Sequence, residues 1–405
     1  MPLGASKLNF LAKVQEVAAE ASWADWTTAN INPTRYEPSV ADNIAAYRTA
    51  HIFNCGDDDN IYFIGTDNSD RYKHYIFRYS RSGENLTYQN RVGPFTSVAN
   101  IGLFNSSAVL DLPEFNKAIV LHQHIWLVVV TQNTSTKAVS FGTEQTSLNT
   151  VSLGNETAWV VNPDDNTEFA GIGSAGTVIF ASFNNSTDAV SVVTSDTLPA
   201  EVEHSLAIFD DNGTKKVAVS VWDGTDIIVY TYNFDGTGKT TTNLGSSFSG
   251  FNQSSFHASG VADPTMLMMN DNNTNIDDAV GLYWTGSAWA AGTPTSFSIP
   301  GDSAGGVNNV RGIRVFEPLG EDGYKGVTLH MDTSGSVPRQ NFFGVFYVNP
   351  SNGSVTQIDD WVAISQQASL NNIFIDMVPT STGDYVYVMS LDDDTTVKVN
   401  VVSKE

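Results

Sequence analysis

Residues 217–234 read VAVSVWDGTDIIVYTYNF, and this stretch decides the fold class. Valines alternate with small residues over positions 217–221, which predicts a strand with one buried face. Asp223-Gly224 follows and favours a tight hairpin turn, because glycine accepts the positive φ angles that such turns need. Alternation resumes at Ile227 and predicts the second strand. The stretch is therefore read as a β-hairpin, and weaker copies of it occur before and after.

The copies form seven sets of strand-like runs, separated by clusters of Gly, Asn, Asp, Ser and Pro. Each set spans roughly 45 to 60 residues and holds four strands, which is typical of the blades of a β-propeller. The sets begin near residues 45–54, 107–112, 158–161, 206–209, 257–261, 310–316 and 373–378. We predict an all-β chain with a propeller of seven four-stranded blades. Six blades are the alternative count, and a double β-sandwich is the alternative fold.

The seventh set ends one strand short, so the ring needs a strand from elsewhere to close. Residues 22–30 contain Ser22-Trp23-Ala-Asp25-Trp26, which is similar to the Asp-Trp pair ending at Trp361 in the sixth set. We therefore expect residues near 22–30 to supply the missing outer strand, because pairing of the chain ends would remove two exposed edges.

Residues 1–21 are predicted to be an N-terminal arm, and residues 22–405 a single propeller domain. Leu8, Leu11 and Val14 have roughly helical spacing, which predicts a short amphipathic helix. A docking arm and a surface-packed tail are both consistent with this pattern.

The composition excludes several functional classes. The net charge is −24, from 44 acidic and 20 basic residues, which argues against nucleic-acid binding and attraction to anionic membranes. No run reaches the roughly 18 to 20 apolar residues of a membrane helix, so no membrane insertion is expected. The N-terminus lacks the apolar run of a secretory signal, which favours a cytoplasmic protein or one delivered inside a virion.

Four tryptophans fall on or beside strands of different sets. We interpret this recurrence as packing between blades, with a ring of sugar-stacking residues as the alternative. The four residues are Trp126, Trp222, Trp284 and Trp361.

Candidate chemical groups are scattered. His122 and His124 share one side of a strand, a spacing that suits a metal pair, but no third ligand can be assigned. The acidic runs at 57–59, 277–278, 210–211 and 392–394 lack the alternating spacing of a calcium loop. They are read as solvated turns, with weak cation sites as the alternative. Cys55 is the single cysteine and is read as a small core residue. No catalytic residue, cofactor site or metal site is therefore predicted, and the chain is expected not to be an enzyme.

The first 13 residues, MPLGASKLNFLAK, resemble the start of structural proteins from marine tailed bacteriophages. The lysine-poor, Asn/Thr/Ser/Asp-rich β body is similar to their virion proteins. This resemblance implies a tail, fibre-associated or capsid-decorating protein located in the virion. Its partners would be other virion proteins and further copies of itself within a symmetric particle. Leu8, Phe10 and Leu11 would then be the assembly contacts of the arm.

Two other functions are also consistent with the sequence. The chain could be a propeller that binds or cleaves a carbohydrate on a host surface, which needs aromatic side chains and carboxylates that converge. It could also be a cellular scaffold that binds other proteins.

Overall fold

The fold is described from a computed structural model of the 405-residue chain. The described residues are 34–36, 51–67, 70, 72–82, 85–97, 107–122, 126–146, 159–162, 164–172, 176–198, 203–246, 264–269, 278–297, 308–316, 323–333, 339–358, 360–367, 376–379, 385–391 and 397–403. The predicted helical arm and residues 22–30 lie outside them. Within them, no helix has the length and apolar character needed to cross a membrane.

The described strands form six four-stranded sheets and one five-stranded sheet, and all pairings are antiparallel. The first sheet contains β2 (His51–Phe53), β3 (Asn60–Thr66), β4 (Lys73–Ser82) and β5 (Asn85–Thr96). The second contains β6 (Ser107–Leu112), β7 (Lys117–His122), β8 (Trp126–Gln132) and β9 (Val139–Phe141), with a 3₁₀ turn at Pro113–Phe115. The third contains β10 (Trp159–Val161), β11 (Glu168–Ile172), β12 (Thr177–Asn184) and β13 (Ala189–Thr197).

The remaining sheets follow in chain order. The fourth contains β14 (Glu203–Asp211), β15 (Thr214–Trp222), β16 (Ile227–Asn233) and β17 (Thr240–Gly245). The fifth contains β18 (Thr265–Met269), β19 (Asp278–Trp284), β20 (Trp289–Ala291) and β21 (Thr295–Ser296). The sixth contains β22 (Asn308–Phe316), β23 (Tyr324–Thr333), β24 (Arg339–Val348), β25 (Val355–Gln357) and β26 (Val362–Gln367). The seventh contains β27 (Asp376–Pro379), β28 (Tyr385–Leu391), β29 (Val397–Ser403) and β1 (Thr34–Tyr36).

Consecutive sheets contact one another. The first strands of the first four sheets are neighbours, since β2 contacts β6, β6 contacts β10 and β10 contacts β14. Later contacts join β17 to β20, β18 to β24 and β26 to β28. Small antiparallel sheets that pack in chain order form a β-propeller, as the sequence predicts, and a double sandwich is excluded.

Burial between neighbouring sheets explains why the chain needs this arrangement. Five apolar clusters in the described part each combine residues of two consecutive sheets. In β7, Ala118 and Val120 pack toward the first sheet, whereas Ile119 and Leu121 pack toward the third. Successive side chains of a strand point to opposite faces, so these strands are apolar at almost every position. A sheet that packed against only one neighbour would therefore leave one apolar face exposed.

The hairpin at 217–234 is present, with two corrections. Both of its faces are buried: Val217 packs against the third sheet, and Ala218 belongs to the cluster shared with the fifth sheet. Its turn is a four-residue loop, because Trp222 pairs with Ile227. The two-residue turn with positive φ at both central positions lies one strand earlier, at Asn212-Gly213. Asn-Gly is the dipeptide that best tolerates this geometry.

The outer strands of four sheets carry bulges, and β5 carries a second irregularity at Gly93 and Pro94, opposite Tyr75. The register skips Gln89 in β5, Val193 in β13, Leu244 in β17 and Ile364 in β26. Such bulges twist a strand and interrupt its row of hydrogen-bonding groups. Because an exposed edge is a template for unwanted pairing, the bulges protect the rim of the fold.

The fourth strand of the seventh sheet comes from the N-terminal part of the chain. Thr34 pairs with Val401 and Tyr36 with Val399. This pairing uses residues later than the predicted 22–30, which lie outside the described residues. The three-residue strand had no sequence signal strong enough to separate it from its surroundings.

We expect the substitution Gly171→Ala to destabilise the fold. The Cβ atom would overlap the indole ring of Trp159, which covers Gly171 from the neighbouring strand. Overpacking of this kind costs about 1–3 kcal/mol, measured as a lower free energy of unfolding in urea. In a double-mutant cycle, Trp159→Leu should relieve most of that cost. Additive losses would show that the glycine is not required by the ring.

Candidate functional site

The predicted assembly contacts Leu8, Phe10 and Leu11 lie outside the described residues. The same holds for His124 and for the side chain of His122, whose backbone ends β7. The arm and the histidine pair therefore stay predictions.

Contacts of the acidic turns are described at two places in the structure. Asp57 accepts hydrogen bonds from Asn60 and Gln132 and forms an ion pair of 2.8 Å with Lys137. Asp210 and Asp211 pair with Lys215 and Lys216. In the described part of the chain, no three His, Cys, Asp or Glu side chains form a group that could hold a metal. The runs at 277 and 392–394 lie outside it.

Asp111 is the centre of a polar cluster between the first two sheets, which we call the first junction. Its carboxylate lies on β6 and accepts the backbone N–H groups of Asn54 (3.2 Å) and Cys55 (3.0 Å), which follow β2. Cys55 and Gly56 both have positive φ, and this turn aims the N–H groups at the next sheet. A side chain on Gly56 would collide with Pro113.

Gln132 and Tyr62 extend the first junction. Gln132 donates to the hydroxyl of Tyr62 at 2.7 Å and to Asp57 at 3.1 Å, and Tyr62 donates to the carbonyl of Lys137 at 2.7 Å. Arg78 adds bonds to Asn60 and to the carbonyl of Thr136. Every one of these bonds except Arg78–Asn60 joins the first sheet to the second, so the cluster fixes their relative position.

The reactive groups in the first junction are held in their neutral forms. Burial, and then the charge of Asp111, raises the pKa of the Cys55 thiol well above its ordinary value. Burial also raises the pKa of the Tyr62 phenol. A protonated thiol is a poor nucleophile, so the geometry favours a core role for Cys55, as predicted from the sequence.

A buried histidine lies on β4 of the first sheet. Nothing in the sequence indicated its role. His74 is fully buried, with Nδ1 3.0 Å from the Thr66 hydroxyl and Nε2 3.1 Å from the Ser97 hydroxyl. Burial lowers its pKa to about 4, although the charge of Asp70 opposes the shift. The neutral imidazole therefore joins the end of β3 to the residue that follows β5.

Other junctions reuse one combination, an aspartate with a lysine or an aromatic donor. Lys117 in the second sheet binds Asp188 and Asn185 in the third. Tyr232 and Lys239 in the fourth sheet both donate to Asp196 in the third. Burial alone would raise the pKa of Asp196, but these two donors outweigh it and lower the pKa.

Aromatic rings complete the junction between the fourth and fifth sheets. Trp284 packs on Phe209 with 5.0 Å between ring centroids and donates its indole N–H to Asp211. Trp361 lies in the cluster shared by the fifth and sixth sheets. The prediction of packing between blades is confirmed for these two residues, whereas the side chains of Trp126 and Trp222 lie outside the described set.

The fold resembles solved structures of β-propellers. The β-propeller domain of Myceliophteria thermophila Cps50 (Swd1) aligns with 91% of this chain and 99% of its own length, at a TM-score of 0.51 and 8% identity. Saccharomyces cerevisiae Sqt1 aligns with 93% and 100%, at 0.50 and 10%. A putative 6-phosphogluconolactonase from Bacteroides uniformis aligns with 85% and 97%, at 0.50 and 11%. Such identities show the fold alone.

No family model and no curated protein matches the sequence. The function must therefore be argued from the residues of the chain itself.

We expect Asp111→Ala to lower the free energy of unfolding by about 2–4 kcal/mol, because two backbone N–H groups would stay buried without an acceptor. Asp111→Asn, which keeps one acceptor, should recover part of the loss. The control is Asp59→Ala in the loop after β2, whose backbone donates to Asp111. The side chain of Asp59 is 83% exposed and 3.9 Å from Arg81, and such pairs contribute little. Equal losses for Asp111→Ala and Asp59→Ala in urea titrations would show that the buried hydrogen bonds of Asp111 do not stabilise the fold.

His74 predicts a defined dependence of stability on pH. Between its ordinary pKa of 6.5 and its folded pKa of about 4, the unfolded chain binds more protons than the folded one. Acidification through this window should therefore destabilise the fold, by roughly 3 kcal/mol from this group. His74→Gln should flatten the pH profile of the unfolding free energy relative to that of the wild-type chain. An unchanged slope in His74→Gln would refute the assignment.

Proposed function

We propose that the seven sheets are the blades of one ring and that β1 closes it. Two observations support this. The first strand of the first sheet contacts β27 of the seventh. The outer position of the seventh sheet is filled by Thr34–Tyr36 from the other end of the chain. Pairing of the chain ends removes the edges that an open array would leave.

We propose that the protein is a non-enzymatic structural component of a tailed-phage virion, in a tail, fibre-associated or capsid-decorating position. The observation that carries the proposal is the place where the N-terminal residues join the fold. Thr34 lies on the edge strand of its sheet, so the described fold begins at a sheet edge. An arm attached at the rim can dock without disturbing the ring. The phage assignment itself rests on the resemblance of residues 1–13.

The state of the buried ionisable groups supports a structural role. Cys55, Tyr62 and His74 are all buried and kept neutral by burial, and each lies among partners that join strands or sheets. Groups that serve catalysis usually have pKa values tuned toward the working pH. Here burial moves the pKa values of the thiol, the phenol and the imidazole further from pH 7.

The net charge bears on how copies of the chain would associate. With a net charge of −24, copies of the chain repel one another in solution and stay soluble. Assembly then needs a dedicated contact, for which Leu8, Phe10 and Leu11 are the candidates. Other virion proteins and further copies of the chain are the proposed partners.

Deletion of residues 1–21 should leave the unfolding midpoint unchanged and abolish incorporation into particles. The triple variant Leu8→Ser, Phe10→Ser and Leu11→Ser should behave in the same way, because the apolar contacts are lost. Mass spectrometry of purified particles measures incorporation, and Val193→Ser, at an exposed position on the rim, is the control. Normal incorporation of the truncated chain would refute the docking role of residues 1–21. Absence of the full-length chain from particles would refute the virion role.

A further inference from the structure

The two-residue turn between β14 and β15 contains Asn212-Gly213, and a second Asn-Gly pair occurs at Asn352-Gly353. Asparagine is most prone to deamidation before glycine, because a residue without a side chain leaves its backbone nitrogen free to approach the amide. The next residue carries a hydroxyl group in both places, Thr214 and Ser354. The two sequences therefore predict similar reactivity, and a difference between them must come from the fold.

The reaction joins the backbone nitrogen that follows the asparagine to the carbon of the side-chain amide. This nitrogen loses its proton and attacks the carbon, the amide nitrogen takes up a proton and leaves as ammonia, and a succinimide ring remains. Water then opens the ring at either carbonyl, which gives aspartate or isoaspartate. The overall change consumes water, releases ammonia and adds a negative charge. A base beside the backbone N–H assists the first step.

The fold places such a base at Asn212. The carboxylate of Asp210 accepts the backbone N–H of Gly213, so the proton that must leave already points at an anionic oxygen. Asn212 and Gly213 are both exposed, and no atom lies within 4 Å of the position that a Cβ atom on Gly213 would occupy. Water can therefore reach the ring once it has formed.

The fold blocks the same reaction at Asn352. The N–H of Gly353 donates to the backbone carbonyl of Asn349 at 2.8 Å, and a neutral carbonyl is a much weaker base than a carboxylate. The side-chain oxygen of Asn352 accepts the N–H of Ser354 at 2.9 Å. Gly353 is buried so tightly that a Cβ atom would overlap the carbonyl oxygen of Gly281 in β19. Its nitrogen therefore cannot turn toward the amide carbon.

We propose that Asn212 is a modification site at which the folded chain forms aspartate or isoaspartate, with Asp210 as the base. The product weakens the fourth sheet. Its new carboxylate adjoins Asp211, which binds Lys216 and accepts the indole N–H of Trp284 at the junction with the fifth sheet. Isoaspartate also adds a methylene group to the main chain of a two-residue turn, which disturbs the register of the two strands.

The test follows the full chain in mildly alkaline buffer, with peptide mapping by mass spectrometry to measure the mass gain at each asparagine. In the folded chain, Asn212 should convert at least roughly ten-fold faster than Asn352, because only Asn212 has a carboxylate base. In guanidinium chloride the two should convert at similar rates, since both precede glycine, and Asn212 should be no faster there than in buffer. Asn352 is thus the matched control within the same molecule.

Two variants separate the base from the reacting amide. Asp210→Asn should slow the conversion of Asn212 at least roughly ten-fold and leave that of Asn352 unchanged. Asn212→Gly tolerates the positive φ of the turn and removes the amide. On prolonged incubation its unfolding midpoint should stay constant, whereas that of the wild-type chain should fall. If fresh Asp210→Asn fails to fold, the wild-type comparison of Asn212 with Asn352 decides the question.

Three results would overturn the proposal. They are equal rates at Asn212 and Asn352 in the folded chain, slower conversion of Asn212 in buffer than in guanidinium chloride, and unchanged conversion in a folded Asp210→Asn variant. The second result would show that the turn protects the amide. The site does not depend on the virion role, because it uses only residues of the fourth sheet.

Discussion

Burial of both faces of each sheet is the constraint on which the rest of the structure depends. The central strands are apolar at nearly every position, and their alternate side chains enter two different clusters. Each buried Val, Leu, Ile or Phe contributes about 1.5–3 kcal/mol relative to exposure, so a sheet with one uncovered face would lose several such terms. Each sheet therefore needs two neighbours, and a linear array always has two sheets that lack one. The bulged outer strands complement this arrangement, because β13 and β17 are exposed or half-buried along their length.

The polar groups at the junctions follow from the same constraint. A carboxylate buried between sheets must find donors there, as Asp111 does in the backbone of Asn54 and Cys55. The apolar surroundings then favour the neutral form of ionisable groups. This explains both the raised pKa of Cys55 and the lowered pKa of His74. The scarce lysines are used in the same way, with Lys117, Lys137 and Lys239 each pairing an aspartate of a neighbouring sheet. These polar contacts thus fix how neighbouring sheets pack.

Much of the fold could be predicted from the sequence, because strand alternation and turn residues are local signals. The hairpin of β15 and β16 is the best example. The junctions could not be predicted, because Asp111 and Asn54 are 57 residues apart, and one is a single polar residue within a strand and the other a single polar residue after a strand. One usable signal was missed: Asn133 and Asn184 each begin the turn into the outermost strand, and each accepts backbone N–H groups of that turn. The contact between Tyr79 and Tyr88 also escaped prediction, because it depends on the register of two strands.

The proposed closure can be tested by linking the two strands that make it. Thr34 and Val401 lie directly opposite each other in the seventh sheet, and the single native cysteine is buried. In the variant Thr34→Cys/Val401→Cys, a closed ring predicts that the disulfide forms in air. The oxidised chain should then be about 4 kcal/mol more stable than the reduced one, because the bond closes a very long loop in the unfolded chain. Thr34→Cys alone is the control. Failure of the disulfide to form in the folded protein, or equal stability of the oxidised and reduced chains, would contradict the closed ring.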